Sequence, residues 1–203
     1  MRSRECLVGT IITDNFFSQT MVKYILSIKA DLQGVSSLAL ASGANLCISV
    51  RNPVTSEVRE KIVIETGELQ TPDVPAHERH RAEVPSHFAL KWDGEQTRST
   101  ITILDRTEDG AKLTGKKAKK QNRGGLSVRG EVLSDESGLF VPFLALECNG
   151  LEPYSFHPMG DEFICIDKAG NEMKDIDLSN GAWSTFDLST GRTSVTNFES
   201  KFD

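Results

Sequence analysis

Between residues 22 and 30 the chain reads VKYILSIKA, which places Val22, Tyr24, Leu26, Ile28 and Ala30 on one face of an extended segment. Lys23, Ser27 and Lys29 fall on the other face, and Ile25 alone breaks the alternation. A repeat of two marks a half-buried β-strand, because successive side chains leave the backbone in opposite directions. No stretch sustains the 3.6-residue apolar period of an amphipathic helix. Further short runs rich in β-branched and aromatic residues follow at 46–51, 58–65, 88–92, 100–104, 126–133, 140–148, 163–167 and 193–198. Gly, Pro, Asn or Asp clusters bound most of them, as strand ends require. Short helices are expected only at 31–41 and 180–188. The expected fold is all-β: a sandwich or barrel-like arrangement of many short antiparallel strands with one or two short helices.

A chain of 203 residues supports one substantial core or two small ones. We expect a single all-β domain at 21–203, preceded by a poorly ordered N-terminal extension at 1–20. In that extension Arg2 and Arg4 precede an apolar stretch, but Gly9, Thr10 and Asp14 interrupt it, so it matches a targeting signal poorly. No run approaches the roughly 20 apolar residues of a membrane span. Residues 68–86, with three Pro and four acidic residues, read as a long loop. A second departure from the strand rhythm is the basic insertion at 111–125, which carries Lys112, Lys116, Lys117, Lys119, Lys120 and Arg123 and no acid. The whole chain has a net charge of −6; without those six positives, 17 basic residues face 29 acidic ones. The body therefore stands at −12, which argues against a surface built throughout for nucleic acid. The ordinary reading of such a run is a solvated loop. Contact with a polyanion through counterion release, or service as a nuclear import signal, are the functional ones. No aromatic lies inside the run, so base stacking is not indicated.

Catalytic frames are missing from the sequence: there is no GxSxG, HExxH, Walker A loop or strand-following GxGxxG. The four Cys, at 6, 47, 148 and 165, form no CxxC pair. Cys47, Cys148 and Cys165 lie in strand-like runs, where a free thiol packs as a small apolar group. His77 and His80, with His87 further on, offer imidazoles to a metal, against the reading that they are exposed loop residues. The run from Asp175 to Phe186 begins like a calcium loop. It then places Gly181 one position late and Phe186 where the bidentate Glu belongs.

One segment exceeds what periodicity explains. Glu147-Cys148-Asn149-Gly150-Leu151-Glu152-Pro153-Tyr154-Ser155-Phe156-His157-Pro158 resembles the (E/D)C-x-GLEP-x-x-F-x-P signature of the eukaryotic CXXC-motif zinc-binding protein family. The similarity continues through Asp175, Asp177, Leu178, Trp183, Phe186, Asp187 and Val195, and includes the opening segment from Leu26 to Val35. Gly150 followed by Leu-Glu-Pro suits a chain leaving a strand and turning sharply, since Gly accepts φ > 0 and Pro fixes its own φ. Leu151, Tyr154 and Phe156 are the expected apolar anchors. A binding surface around Glu152 and Tyr154 is the alternative reading.

The resemblance implies two CxxC knuckles that together hold one zinc through four thiolates. In this chain the first knuckle falls at Arg51-Asn-Pro-Val54 and the second at Trp92-Asp-Gly-Glu95, with no Cys in either. Arg51, Val54, Trp92 and Glu95 cannot build a tetrahedral thiolate site, so no cofactor is expected. We expect Trp92 to offset the missing metal by packing against Pro53 or Val54. The leading expectation is a monomeric, non-enzymatic, cytosolic protein-interaction module. The alternatives are a nucleic-acid or nuclear accessory acting through the 112–123 loop, and a zinc protein using Cys47, His77, His80 and His87 as substitute ligands.

Overall fold

The computed structural model describes residues 21–67, 69–70, 85–104, 128–187 and 191–203. The opening alternation forms β1 (Met21–Gln33), which pairs antiparallel with β8 (Val141–Asn149) on one side and β13 (Gly191–Phe202) on the other. This trio is the centre of a six-stranded sheet ordered β12-β13-β1-β8-β6-β5. Its remaining strands are β5 (Phe88–Leu90), β6 (Ser99–Leu104) and β12 (Trp183–Asp187). A four-stranded sheet follows the order β11-β10-β2-β7, built from β2 (Val35–Leu40), β7 (Glu131–Leu133), β10 (Phe163–Asp167) and β11 (Glu172–Met173). A three-stranded sheet places β3 (Leu46–Arg51) between β4 (Val58–Ile64) and β9 (Glu152–Phe156). Every pairing is antiparallel, and the curled sheets form a half-barrel.

Apolar side chains from all three sheets meet in one core. Leu26, Ile28 and Ala30 of β1 join Val35 and Leu38 of β2, Ile48 and Val50 of β3, and Phe143 and Leu146 of β8. Phe163 sits at the aromatic centre, 6.1 Å from Phe143, 6.2 Å from Phe156 and 5.5 Å from Phe198, in tilted and edge-on contacts. Such geometry sets positive ring edges against negative ring faces. Register shifts at Leu26/Ser27 and Lys29/Asp31 bend β1 within the sheet. Ser27 is buried beside Leu26 and Ile28, its hydroxyl donating to Asp203 Oδ2 at 3.2 Å.

Both expected helices are strands. At 31–41 the chain finishes β1, turns at Gly34 with φ of 72° and returns as β2. Val35, Ser37 and Leu40 are buried because β2 pairs with β10 and β7, and that two-sided pairing outweighs local propensity. At 180–188 the Ser-Asn-Gly group makes a turn, and Trp183–Asp187 adds to β13. Among the described residues the one helical piece is the 3₁₀ turn Ser134–Glu136, where Glu136 Oε2 accepts the Leu133 N–H at 3.1 Å.

Candidate functional site

Two turns from different sheets meet at the positions where the family resemblance places its knuckles. After β3, Asn52 is buried and caps its own turn: Oδ1 accepts the N–H groups of Val54 at 2.8 Å and Thr55 at 3.1 Å. Its backbone closes the loop to β4, with Asn52 N donating to Glu57 O and Ser56 N donating to Asn52 O. After β5, Trp92 O accepts the Glu95 N–H at 3.2 Å, and Gly94 takes φ of 80°. The side chains then join, Asn52 Nδ2 donating to Glu95 Oε1 at 2.8 Å.

Trp92 lies beneath this junction with 1% of its surface exposed. Its indole N–H is shared between Ser99 Oγ at 3.0 Å and Gly150 O at 3.2 Å, and Ser99 Oγ donates to the same carbonyl at 2.9 Å. The Arg59 guanidinium covers the ring at 5.6 Å from its centroid. It also pairs with Glu57 at 2.6 Å and Asp93 at 3.7 Å. Val54 is 85% exposed and Pro53 is exposed as well, so neither supplies most of the cover over Trp92 that was expected of them. Arg59, Ser99 and Gly150 are its neighbours instead, because the 52–57 turn carries Val54 outward while β4 brings Arg59 over the ring.

Four positions must be tested against a thiolate-bound zinc. Arg51 is exposed and pairs with Glu152 at 2.8 Å. Val54 offers no donor, and Trp92 has no lone pair to give a metal. Glu95 is one carboxylate, already accepting Asn52. These residues do not fit the metal, whose structural sites take four N or S ligands. Among the described residues no cluster of three or more His, Cys, Asp or Glu could hold an ion.

The signature is a strand–turn–strand unit. Glu147, Cys148 and Asn149 end β8, Gly150 turns with φ of 70°, and Glu152–Phe156 becomes β9. Leu151, Pro153 and Phe156 are buried; Tyr154, expected as an anchor, is 41% exposed because it lies at a register shift, unpaired between Pro153 opposite Val50 and Ser155 opposite Ser49. Pro158 follows at a half-buried position. Burial, reinforced by Glu147, pushes the Cys148 thiol up to about 12. Burial, with Asp167, pushes Cys165 up to about 11. Burial also raises Cys47. In each case burial favours the neutral thiol.

His87 lines an open cavity of about 810 Å³, together with Leu40, Ile103, Leu144 and Ile164. Its Nδ1 accepts the Ile103 N–H at 3.0 Å, and burial lowers its pKa. It is the only titratable residue among the described lining. His157 Nε2 meets Ser49 Oγ at 2.7 Å, and that hydroxyl also accepts the Lys61 N–H. Ser49 itself is buried at 2% exposure. Cys6, His77, His80 and the basic group Lys112, Lys116, Lys117, Lys119, Lys120 and Arg123 lie outside the described residues. Sequence reasoning missed Asn52, Arg59 and Ser99. The Asn52-Pro53 dipeptide favours a turn, but nothing local points to a partner 43 residues away.

A family model described as "CXXC motif containing zinc binding protein, eukaryotic" matches residues 25–203. The chain belongs to this family. A 70-residue stretch is 30% identical to UPF0587 protein CG4646 of Drosophila melanogaster, covering 34% of this chain and 43% of that protein, less than half its length. The fold is similar to that of a hypothetical protein from Plasmodium falciparum, with TM-score 0.70 and 19% identity over 90% of this chain and 100% of that one. It is also similar to the crystal structure of C1orf123, with TM-score 0.69 and 17% identity over 90% and 99% of the two chains. At those identities the likeness speaks for the fold.

Proposed function

We propose that this family member is a non-enzymatic protein-interaction module without the four-thiolate zinc, and that it docks an extended segment of a partner protein along β12. The β12 edge of the six-stranded sheet, which pairs on one side only among the described residues, carries this reading. Among the described residues β12 is a terminal strand, and four of its five residues, Trp183-Ser-Thr-Phe186, carry no charge and no proline, with Asp187 closing it. Ser184, Thr185 and Phe186 are exposed, Phe186 at 69%, while Trp183 packs against the core. Edge strands are normally guarded against pairing by charges, bulges or proline. The β4 edge of the three-stranded sheet is guarded in this way, with Arg59, Glu60 and Lys61 and a register shift opposite Ile48/Val50. An edge whose charge is confined to its last residue, with one outward aromatic, suits β-strand addition, in which main-chain hydrogen bonds give affinity and the side chain gives selectivity.

The test places a photo-crosslinking residue at Ser184 and identifies the captured peptide by mass spectrometry. The expected adduct is a defined segment of a partner protein, lost in Phe186→Asp while the urea midpoint of that variant stays at the wild-type value. Capture that is unchanged by Phe186→Asp overturns the assignment.

A further inference from the structure

The junction between the 52–57 and 92–95 turns has a chemistry of its own. Asn52 Oδ1 accepts two backbone N–H groups, which uses both its lone pairs and fixes which way the amide faces. The Nδ2 group is therefore aimed at Glu95 as a donor, and no rotation of the amide turns an oxygen toward that carboxylate without uncapping the turn. Asn52 is 1% exposed, so the bond is sheltered from competing water on one side. A hydrogen bond to an ionised acceptor is roughly twice as strong as a neutral one. The two partners sit in different sheets, since Asn52 follows β3 and Glu95 lies between β5 and β6. Arg59 repeats the crossing from β4, reaching Asp93 at 3.7 Å and the Trp92 ring at 5.6 Å.

We propose that Asn52 and Glu95 form a metal-independent clasp over Trp92, joining two sheets at the positions where the family resemblance places its CxxC knuckles. The clasp excludes a cation there. The one amide oxygen of Asn52 is spent on the turn, and the amide face directed at Glu95 presents hydrogens. Trp92 fills the space below and anchors the clasp to the Gly150 carbonyl of the signature turn. The proposal stands on these contacts and is independent of docking at β12.

A charge-exchange series in urea unfolding tests it. Asn52→Asp keeps an oxygen for the Val54 and Thr55 N–H groups but sets a second carboxylate against Glu95. Its midpoint is expected to fall by roughly half to one molar. Glu95→Gln alone keeps an acceptor oxygen and is expected to change little. The double variant N52D/E95Q gives the Gln amide a carboxylate to donate to and is expected to regain most of the loss. The wild-type midpoint is expected to be the same with chelator and with added zinc. An unchanged midpoint in N52D, a double variant no better than N52D, or a wild-type midpoint that falls in chelator would each overturn the clasp.

Discussion

Replacing Trp92 by Ala gives the most quantitative check on how the fold is held without a metal. An aromatic side chain of this class buries about 150–250 Å², and Trp92 retains 1% exposure. At about 25 cal/mol per Å², that burial is worth roughly 4–6 kcal/mol. Truncation removes most of it and leaves a void under the clasp, so the expected loss is about 4 kcal/mol, within the usual cost of aromatic-to-alanine changes. Against a typical total of about 5–15 kcal/mol, such a loss takes the domain close to its limit. Trp92→Phe separates packing from hydrogen bonding. The Gly150 carbonyl still receives the Ser99 hydroxyl, so the smaller variant is expected to lose about 2 kcal/mol. Urea unfolding followed by far-UV circular dichroism is the suitable assay, because Trp92 is one of only two tryptophans and its removal alters the fluorescence probe. In a Trp183→Phe background the emission of Trp92 alone should be blue-shifted when folded and red-shifted on unfolding. A loss under about 1 kcal/mol for Trp92→Ala would refute the reasoning.

Gly34→Ala is expected to destabilise the protein by at least about 2 kcal/mol, because Gly34 has φ of 72° and an added Cβ would lie 2.7 Å from the Arg192 carbonyl; a thermal midpoint equal to wild type would contradict this. The Asp167 carboxylate accepts the Asn171 side-chain amide and the backbone N–H groups of Asn171 and Ala169, which hold its pKa below the ordinary carboxylate value. Its contribution is therefore present above about pH 4 and lost as the pH falls through the lower folded value. The stability gap between wild type and Asp167→Asn should accordingly narrow in acid, and a gap constant from pH 7 to pH 3 would argue against it. Cys47, Cys148 and Cys165 are buried with raised pKa values, so Ellman's reagent at pH 8 should modify them only as the chain unfolds. Modification at the rate of a free thiol would show that the strands open far more readily than their burial implies.

The strand runs at 46–51 and 163–167 were legible with their limits intact, because each is a short apolar segment between turn residues. The β2 strand was not, since Val35-Ser-Ser-Leu-Ala-Leu40 mixes helix-compatible residues with no clean alternation. Glu152–Phe156 was read as a turn with anchors, and it is a strand because Arg51 and Val50 of β3 lie opposite it. At the site, the local chemistry of Asn52-Pro53 and Asp93-Gly94 spelled two turns. That these turns touch depends on how the β3–β4 hairpin and the β5–β6 pair are carried by separate sheets.

The sequence by itself determined that this chain is all-β, that it carries the GLEP signature, and that it lacks cysteine at either knuckle. Those are properties of periodicity, turn chemistry and residue identity, all readable over a few residues. Only the tertiary structure decided that β1 lies between β8 and β13, that β12 is terminal in its sheet among the described residues, and that Trp92 meets Arg59, Ser99 and Gly150. A repeat of two states which face of a strand is buried but not which strand lies beside it. A hydrogen bond such as Asn52 to Glu95 exists only once distant loops have been closed, and that closure belongs to the packing of the whole core.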